Sequence, residues 1–375
     1  MNKENIIIGV HGAHSDIGGR YNMLASFSQS LLKAFRNSGV QAYSVKECAE
    51  RQLPVNMTIG CNVSGYETWD SILSQNIPNV MWNGDSIFYQ NMEAIEKYGS
   101  NPNFVFLSVT PCDEDAIANY FPQLKRSYLP SGVDLDLWKY QDCEKEIDVV
   151  YFSAMYDYEA KLIELSEKLP PDLFSFMLDI YEIVLTNPSV PFWDVAQIVK
   201  KHRKVEFDKN QYQLMFHNLI YIIDYARRVM LVQSLSKFNL KLYGGPAWKK
   251  YISGNIEYMG ECDVRESVKI MNKSKIVMQS QPLQLCSGLN ERVLNSSAVE
   301  TFVVSSDTKA IISAFGDNCG YYNSSNFEDV ADKVNYYLTN DEERIEKAKN
   351  ARKIVQENHT IEHRAQSILT LLPID

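Results

Sequence analysis

The sequence lacks the features that would direct it to a membrane or to nucleic acid. Its nearest candidate for a spanning segment, FHNLIYIIDYARRVML, is interrupted by Asp224, Arg227 and Arg228, whereas a spanning helix needs about 20 predominantly apolar residues. The apolar run in the N-terminal segment MNKENIIIGVHG is too short for a signal peptide. A net charge of −10 argues against binding nucleic acid by general phosphate neutralisation. We therefore expect a cytoplasmic globular protein with no transmembrane segment and no nucleic-acid partner.

Disulfide and metal-ligand patterns are also missing. The seven cysteines are an odd number without CxxC spacing, which indicates reduced thiols and argues against a disulfide framework or a zinc site. His359 and His363 stand four residues apart, a spacing that suits a metal, but no third ligand accompanies them. We predict no metal site.

A dinucleotide-binding fingerprint is absent as well. The loop GVHGAHSDIGG follows the first β-rich run, but it is not a GxGxxG motif and has no acidic residue at the required distance. NAD binding is therefore not predicted. The glycines of this loop allow close approach to a ligand, and His11 and His14 could contact a substrate. The alternative is a structural histidine in a capped loop.

What the sequence does contain is a repeated alternation of short β-rich runs and helical segments. One series runs from NIIIGVHG to RSYLPSGVDLDLW, and a second begins at EIDVVYFSAMY. Such alternation predicts α/β units with parallel sheets covered by helices on both faces. A length of 375 residues suits two such domains. A long helical section at about 171–237, with proline-containing breaks in LTNPSVPFW, predicts an insertion in the second unit.

The second half of the chain resembles a known family. LKLYGGPAWKKY, IEYMGECDVRESVKIMNKSKIVMQSQP and LNERVLNSSAVETFVVSSDTKAIISAFG occur in that order. Together with the helical tail they resemble the C-terminal domain of CgeB-like (spore-maturation-protein-like), group-1-type glycosyltransferases. VMWNGDS and YLPSGVDLDLW are similar to that family's first domain. The resemblance implies the GT-B architecture, in which two Rossmann-like domains face each other across a cleft. It also implies metal-independent transfer of a sugar from a nucleotide diphosphate-sugar, which is a substrate and not a cofactor.

The resemblance also implies a domain division and an acceptor side. We expect an acceptor-side domain over 1–145, a nucleotide-sugar domain over 146–350, and a C-terminal helix at 351–375 that packs back toward the first domain. The tail histidines would then serve packing.

Two positions depart from the family pattern. Asn295 stands where the family has a glutamate that holds the donor ribose, and Glu300 stands where it has a glycine. An amide cannot replace the charge of a carboxylate, so the sequence does not decide how tightly the nucleotide binds or whether the protein is active. Glu291 or Glu300 could compensate.

Donor binding is predicted at the loops that follow strands of the second unit, because ligands bind at the carboxyl ends of parallel strands. Arg292 stands at the start of a helix, where free backbone N–H groups and the helix dipole favour anions. The alternative is a capped surface helix whose arginine makes an ion pair. Lys161 could contact phosphate or be solvated.

Two further groups of residues could contact the base and the sugar. The paired glycines Gly244 and Gly245 could form a wall for the base or a tight turn with Trp248 in the core. Gln279 and Gln281 could bind sugar hydroxyls or lie in a solvated turn. The full candidate set is Lys161, Tyr243, Gly244, Gly245, Gln279, Gln281, Ser287, Gly288, Asn290, Glu291, Arg292 and Asn295.

Catalytic candidates come from the first unit. Asp85, in MWNGDSIFY, follows a β-rich run and is the best carboxylate for a general base. The alternative is a helix N-cap. His11 and His14 are the other candidates.

The sequence thus favours a glycosyltransferase that acts on an unidentified acceptor. A catalytically inert nucleotide-sugar-binding protein and a sugar-nucleotide epimerase are the alternatives. The oligomeric state is not predicted.

Transfer activity is expected to survive chelation with EDTA, because the sequence offers no cluster with metal-ligand spacing and the resembled family needs no metal. Turnover measured before and after EDTA treatment checks this. Loss of turnover that Mg²⁺ or Mn²⁺ restores would contradict the prediction.

Overall fold

The structure of the protein is a computed structural model that describes residues 3–13 and 23–372. The chain folds into two compact units. The first extends to Trp138 and also includes Asp263–Arg265 and the segment from Val355 onward; the second comprises Lys139–Cys262 and Glu266–Ile354. The limits predicted from the sequence, near 145 and 350, lie close to these without coinciding.

The first unit is built on one parallel sheet. Its strands lie in the order β2-β1-β3-β4-β5-β6. They are β1 (Ile7–Val10), β2 (Gln41–Ser44), β3 (Met57–Cys61), β4 (Asn79–Asn83), β5 (Phe104–Ser108) and β6 (Arg126–Tyr128). The helices between them are α1 (Met23–Asn37), α2 (Val45–Glu50), α3 (Trp69–Ser74), α4 (Met92–Tyr98) and α5 (Glu114–Tyr120). All residues of the four inner strands are buried, as expected of a parallel sheet covered on both faces.

The second unit is built on another six-stranded parallel sheet, in the order β12-β11-β10-β7-β8-β9. Its strands are β7 (Ile147–Phe152), β8 (Leu240–Tyr243), β9 (Ile256–Gly260), β10 (Ser274–Gln279), β11 (Phe302–Ser306) and β12 (Gly320–Tyr322). The remaining helices of the chain are α6 (Tyr158–Lys168), α7 (Pro171–Thr186), α8 (Phe192–Arg203), α9 (Lys209–Ser234), α10 (Val264–Asn272), α11 (Glu291–Ala298), α12 (Lys309–Phe315), α13 (Val330–Thr339), α14 (Asp341–Asn358) and α15 (Ile361–Leu369). The alternation predicted from the sequence is confirmed in both units.

The helical insertion predicted near the start of the second unit is also present. Helices α7, α8 and α9 lie between α6 and β8. Prolines begin two of these helices, since Pro171 is the first residue of α7 and Pro191 is the N-cap of α8. A capping box formed by Asp208 and Gln211 begins α9. The break between α7 and α8 falls in LTNPSVPFW, because proline cannot donate the backbone hydrogen bond of a helix interior.

The charged residues in the middle of α9 are buried contacts of the fold. Arg227 is 5% exposed. Its guanidinium donates to the carbonyl of Leu185 at 2.7 Å and to the carbonyl of Ser324, and it lies 5.0 Å from the ring centre of Phe327. The insertion is therefore fixed to the loop after β12 by one arginine.

The described part of the chain contains no helix long and apolar enough to cross a membrane. All seven cysteines are free thiols, in agreement with the sequence-based expectation.

Arg227→Met is expected to lower the free energy of unfolding by about 2–3 kcal/mol, because two buried carbonyls lose a charged donor. Urea denaturation followed by circular dichroism measures this. Arg51→Met is the control, since Arg51 is exposed, pairs with Glu47 one turn away and lies over the Tyr43 ring, and exposed contacts of this kind contribute little. Equal stability of the two variants would contradict the anchoring role of Arg227.

Candidate functional site

The second sheet has a point at which its strand order reverses. The chain places β8 and β9 on one side of β7, and then β10, β11 and β12 on the other. Ligands of open parallel sheets bind outside the carboxyl ends of the strands at such a point. Here the ends of β7 and β10 are joined by a hydrogen bond of 2.5 Å between the hydroxyls of Tyr151 and Ser280. The loops after β7 and β10 therefore form the candidate site of this unit.

Arg292 projects into this region from the start of α11. Asn290 is the N-cap, and its side-chain oxygen accepts a hydrogen bond from the backbone N–H of Arg292 at 2.8 Å. The half-buried Arg292 guanidinium donates to the carbonyl of Phe152, the last residue of β7. Burial lowers the pKa of Arg292. The helix is capped, as the sequence indicated, but it is not a surface helix: every residue from Val293 to Ala298 is buried.

A second arginine, which the sequence analysis did not propose, reaches the same loop. Arg228 comes from α9, donates to the carbonyl of Ala154 at 3.0 Å and lies 5.0 Å from the ring centre of Tyr225. Its charge is close enough to contribute to the lowered pKa of Arg292. Within the described part of the chain, neither guanidinium forms an ion pair with a carboxylate. Two cations that share a loop in this way make a favourable position for an anion.

The loop between β10 and α11 is held by its own amides. Gln279 is 4% exposed, and its side chain donates to the carbonyl of Ser280 at 2.6 Å. Gln281 is half-buried, and its Nε2 donates to the carbonyls of Leu285 and Gly288. The alternative of a solvated turn is therefore wrong for Gln279. Contact of either with a sugar stays a prediction.

The paired glycines after β8 allow the turn there to pack closely on the loop after β7. A Cβ on Gly244 would overlap the carbonyl oxygen of Ser153, and one on Gly245 would lie 3.0 Å from the carbonyl of Met155. Trp248 is fully buried and donates to the carbonyl of Ser153 at 2.8 Å. This is the tight turn with Trp248 in the core that the sequence left as one of two possibilities. Tyr243 stacks on Phe152 with ring centres 5.2 Å apart, and a contact with the base stays a prediction.

The structure explains one of the two departures from the family pattern, the one at Glu300. Its φ of 54° lies in the left-handed region, which glycine adopts without steric cost. The carboxylate is 3.1 Å from Arg352 and lies just before β11, at the end of the strand opposite to the candidate site. Glu300 therefore does not compensate for the missing family carboxylate. Asn295 is 6% exposed in the middle of α11, and Glu291 is exposed beside Arg292.

The remaining donor candidates occupy different positions. Gly288 is buried and Ser287 is half-buried in the loop before α11. Lys161 lies on α6, where its ammonium is 3.2 Å from Glu164. It lines a pocket between α6 and α9. Its role toward a phosphate stays a prediction.

In the first unit, the strand order reverses between β1 and β3, and His11 follows β1. The imidazole of His11 is 2% exposed and packs so closely on Gly65 that a Cβ there would overlap it. Asn62, after β3, accepts from the backbone N–H of Gly84 at 2.8 Å and donates to the carboxylate of half-buried Asp85 at 3.5 Å. His11 is thus packed into the structure. His14 lies outside the described residues.

Asp85 is not a helix N-cap. The next helix, α4, begins at Met92, and its N-cap is Asn91. The Asp85 carboxylate instead accepts from the side chains of Asn62 and Gln90, at 3.5 Å and 3.4 Å. The general-base role stays a prediction.

A buried carboxyl group near Asp85 was missed by the sequence analysis. Asp113 follows β5, is 4% exposed and accepts hydrogen bonds from the Ser86 hydroxyl and the backbone N–H of Ile87. Burial raises the pKa of Asp113 to about 7, although both hydrogen bonds oppose the shift. Its position after a strand was the available signal, but burial is not visible in the sequence.

The two histidines of the C-terminal tail, His359 and His363, make local structural contacts. His363 and Thr360 form a capping box at the start of α15. The Nδ1 of His359 is 2.8 Å from the guanidinium of Arg364, and burial lowers the pKa of His359 to about 4. Among residues 3–13 and 23–372, no three side chains of His, Cys, Asp or Glu come together as metal ligands. The metal independence of any activity stays a prediction.

Comparison with known proteins finds a family that part of the chain resembles. Residues 227–370 match the family described as Glycosyl transferase-like. A protein of Aquifex aeolicus (strain VF5), described as uncharacterized, is 21% identical over 260 residues, which are 66% of this chain and 64% of that protein. The match thus spans less than two thirds of that relative's length.

Solved structures resemble the whole chain. Sucrose-phosphate synthase from Thermosynechococcus elongatus has a TM-score of 0.58 and 11% identity, with 98% of this chain and 97% of that chain covered. The Anabaena protein HepE, solved in complex with UDP and glucose, has a TM-score of 0.54 and 10% identity over 98% of this chain and 99% of that chain. The DNA-modifying enzyme beta-glucosyltransferase, solved with and without uridine diphosphoglucose, has a TM-score of 0.55 and 10% identity over the same shares.

These likenesses show the fold. It is the α/β architecture of GT-B glycosyltransferases, with two six-stranded Rossmann-like parallel sheets. The GT-B expectation is confirmed, and residues 227–370 are similar to the Glycosyl transferase-like family. The CgeB-like assignment stays a prediction.

Asp113→Asn is expected to flatten the dependence of stability on pH. Because the folded-state pKa of about 7 lies above the ordinary value of 3.8, this proton stabilises the fold fully below about pH 4, and its contribution is lost as the pH rises toward 7. The loss is on the order of 3 kcal/mol. Chemical denaturation of wild type and variant at pH 4.5 and 7.5 measures it.

Asp115→Asn is the matched control, since Asp115 is exposed in the same helix. A wild-type pH dependence that Asp113→Asn leaves unchanged would show that this carboxyl titrates normally.

Proposed function

We propose that the protein is a CgeB-like glycosyltransferase that moves a sugar from a nucleotide diphosphate-sugar to an acceptor. One observation carries this proposal. Arg228 and Arg292, from helices far apart in the sequence, converge on the end of β7 and the loop after it, and neither forms an ion pair with a carboxylate among the described residues. A polyanion bound there would relieve the repulsion between the two cations.

The chemistry of transfer needs such a position. When the bond from the anomeric carbon to the diphosphate breaks, negative charge builds up on the leaving phosphate oxygens. Guanidinium groups and the free N–H groups at a helix N-terminus stabilise that charge. Arg292 is the second residue of α11, so it brings its side chain and the helix N-terminus to one place. The two arginines would bind the diphosphate in the ground state and stabilise it further as it leaves.

The class of donor is supported by the structural neighbours, because HepE was solved with UDP and glucose and beta-glucosyltransferase with uridine diphosphoglucose. In this proposal the donor lies on the second unit, with Gln279 and Gln281 near the sugar and the YGGPAW segment near the base. Asp85 and His14, from the first unit, act on the acceptor hydroxyl. In this proposal the protein works in the cytoplasm and without a metal cofactor; the odd number of cysteines without CxxC spacing supports the cytoplasmic location.

A second function is favoured by one observation. Asn295 occupies the position of the family carboxylate and is buried in α11, so an amide would face the donor ribose. An amide accepts a weaker hydrogen bond than an ionised carboxylate. The second candidate is therefore a protein that binds a nucleotide sugar and does not transfer it.

Arg292→Ala is expected to weaken binding of UDP-glucose, used as the first probe, by about 1.5–3 kcal/mol, because a hydrogen bond to a charged group is lost. Isothermal titration calorimetry measures the affinity, and a thermal-shift panel of nucleotide sugars replaces the probe if UDP-glucose does not bind. Asp85→Asn and His14→Ala should leave donor affinity nearly intact and lower turnover, because contacts made in the transition state act on the rate constant.

Arg203→Ala is the matched control for Arg292→Ala. Arg203 is a partly exposed arginine of the same unit that pairs with Asp179 at 2.5 Å within the insertion. Equal donor affinity in wild type, Arg292→Ala and Arg203→Ala would overturn the phosphate site. Donor binding with no transfer to any acceptor tested would favour the second candidate.

A further inference from the structure

A pocket lies beside the helical insertion, next to the loop that Arg228 and Arg292 share. It has a volume of about 510 Å³ and lies between α6 and α9, within the usual range of about 300–1,000 Å³ for small-molecule sites. Four tyrosines line it, together with His217 and Asn218; the tyrosines are Tyr156, Tyr158, Tyr221 and Tyr225. The pocket therefore combines aromatic rings with polar groups that can donate and accept hydrogen bonds.

Three of the tyrosines form a continuous aromatic wall. The ring centres of Tyr156 and Tyr225 are 5.6 Å apart, and those of Tyr221 and Tyr225 are also 5.6 Å apart, with planes only 17° from parallel. Tyr156 is 66% exposed, so its ring is accessible to a ligand. Tyr221 and Tyr225 stand four residues apart on α9, so the helix itself aligns their rings.

The charges in the pocket lining are balanced by neighbours. Lys161 is 3.2 Å from Glu164, and Asp157 is 3.0 Å from Lys250. His217 is kept neutral, because burial and the charge of Lys161 lower its pKa. Lys161 and Lys250 are thus paired with carboxylates, whereas Arg228 and Arg292 form no ion pair within the described part of the chain. The pocket is therefore suited to a neutral ligand.

We propose that this tyrosine pocket is a binding subsite for a neutral hexopyranose unit of a saccharide. A pyranose ring presents C–H groups on its face and hydroxyl groups on its edge. The C–H groups carry partial positive charge and pack on the negative face of an aromatic ring. The sugar hydroxyls can form hydrogen bonds with the tyrosine hydroxyls, the Asn218 amide and the His217 ring nitrogens.

The subsite adjoins the donor region through its own residues. Tyr156 follows Ala154 by two positions, and the Ala154 carbonyl accepts from Arg228, whose guanidinium lies over Tyr225. A saccharide held on the tyrosine wall would lie beside the loop that carries the diphosphate. Its role as part of an acceptor glycan rests on the proposed transferase function, whereas its binding does not.

The test uses the full chain without a nucleotide sugar, so it is independent of transfer. The probes are three neutral linear hexasaccharides, made of glucose, mannose or N-acetylglucosamine, and saturation-transfer-difference NMR measures binding. At least one is expected to bind, and Tyr156→Ala and Tyr221→Ala should each weaken it about fivefold to tenfold. Tyr156→Trp should retain it. Tyr336→Ala is the control, since Tyr336 is 47% exposed on α13, away from the pocket.

Several results would overturn the subsite. The first is that wild type binds none of the three hexasaccharides. The second is that Tyr156→Ala and Tyr221→Ala both bind a hexasaccharide as tightly as wild type. The third is that uridine binds more tightly than the hexasaccharides and that the same two variants lose uridine binding. If Tyr221→Ala fails to fold, Tyr156→Ala decides alone, because its ring is mostly exposed. UDP-glucose affinity in the tyrosine variants separates the two proposals: if it is intact while saccharide binding is absent, only the subsite fails. If saccharide binding is intact and UDP-glucose does not bind wild type, only the transferase proposal fails.

Discussion

Three successive backbone carbonyls at the end of β7 organise the second unit. Phe152, Ser153 and Ala154 accept side-chain hydrogen bonds from Arg292, Trp248 and Arg228. A strand that leaves its sheet exposes carbonyls that the ladder no longer pairs, and a buried carbonyl without a donor costs free energy. Here the donors come from α11, from the turn after β8 and from α9. One loop therefore fixes the positions of three elements, and two of its donors are the cations of the candidate site.

Three charged residues within little more than one turn of α9 hold the fold together and reach the candidate site. Asp224 accepts from the backbone N–H of Leu283 at 3.0 Å, Arg227 binds two backbone carbonyls, and Arg228 faces the loop after β7. Burial raises the pKa of Asp224 to about 6, although the charges of Arg228 and Arg227 and the hydrogen bond from Leu283 oppose the shift. The same helix aligns Tyr221 and Tyr225. An insertion that appears in the sequence only as extra helices thus contributes to both proposed binding positions.

The first unit shows how burial changes the chemistry of neighbouring carboxyl groups. Asp85 and Asp113 follow adjacent strands, β4 and β5. Asp85 is half-buried and accepts from two amides, whereas Asp113 is buried and accepts from Ser86 and Ile87. The loop that carries Asp85 is therefore held by the loop that carries Asp113. Asp113 thus helps to hold the backbone beside Asp85, whose general-base role stays a prediction.

The sequence by itself determined the layers of this protein: alternating β-rich and helical segments, turn residues and proline breaks are local signals, and the two sheets and the insertion follow from them. It also indicated which loops matter, because parallel strands bring their carboxyl ends to one edge. Only the tertiary structure decided which side chains meet there. Arg228 and Ala154 are 74 residues apart, and Arg292 and Phe152 are 140 residues apart. The burial of Asp113, the pairing of Glu300 with Arg352 and the close approach of Gly244 to Ser153 depend likewise on distant segments. Periodicity records which face of an element is apolar, but not which distant backbone group needs a donor.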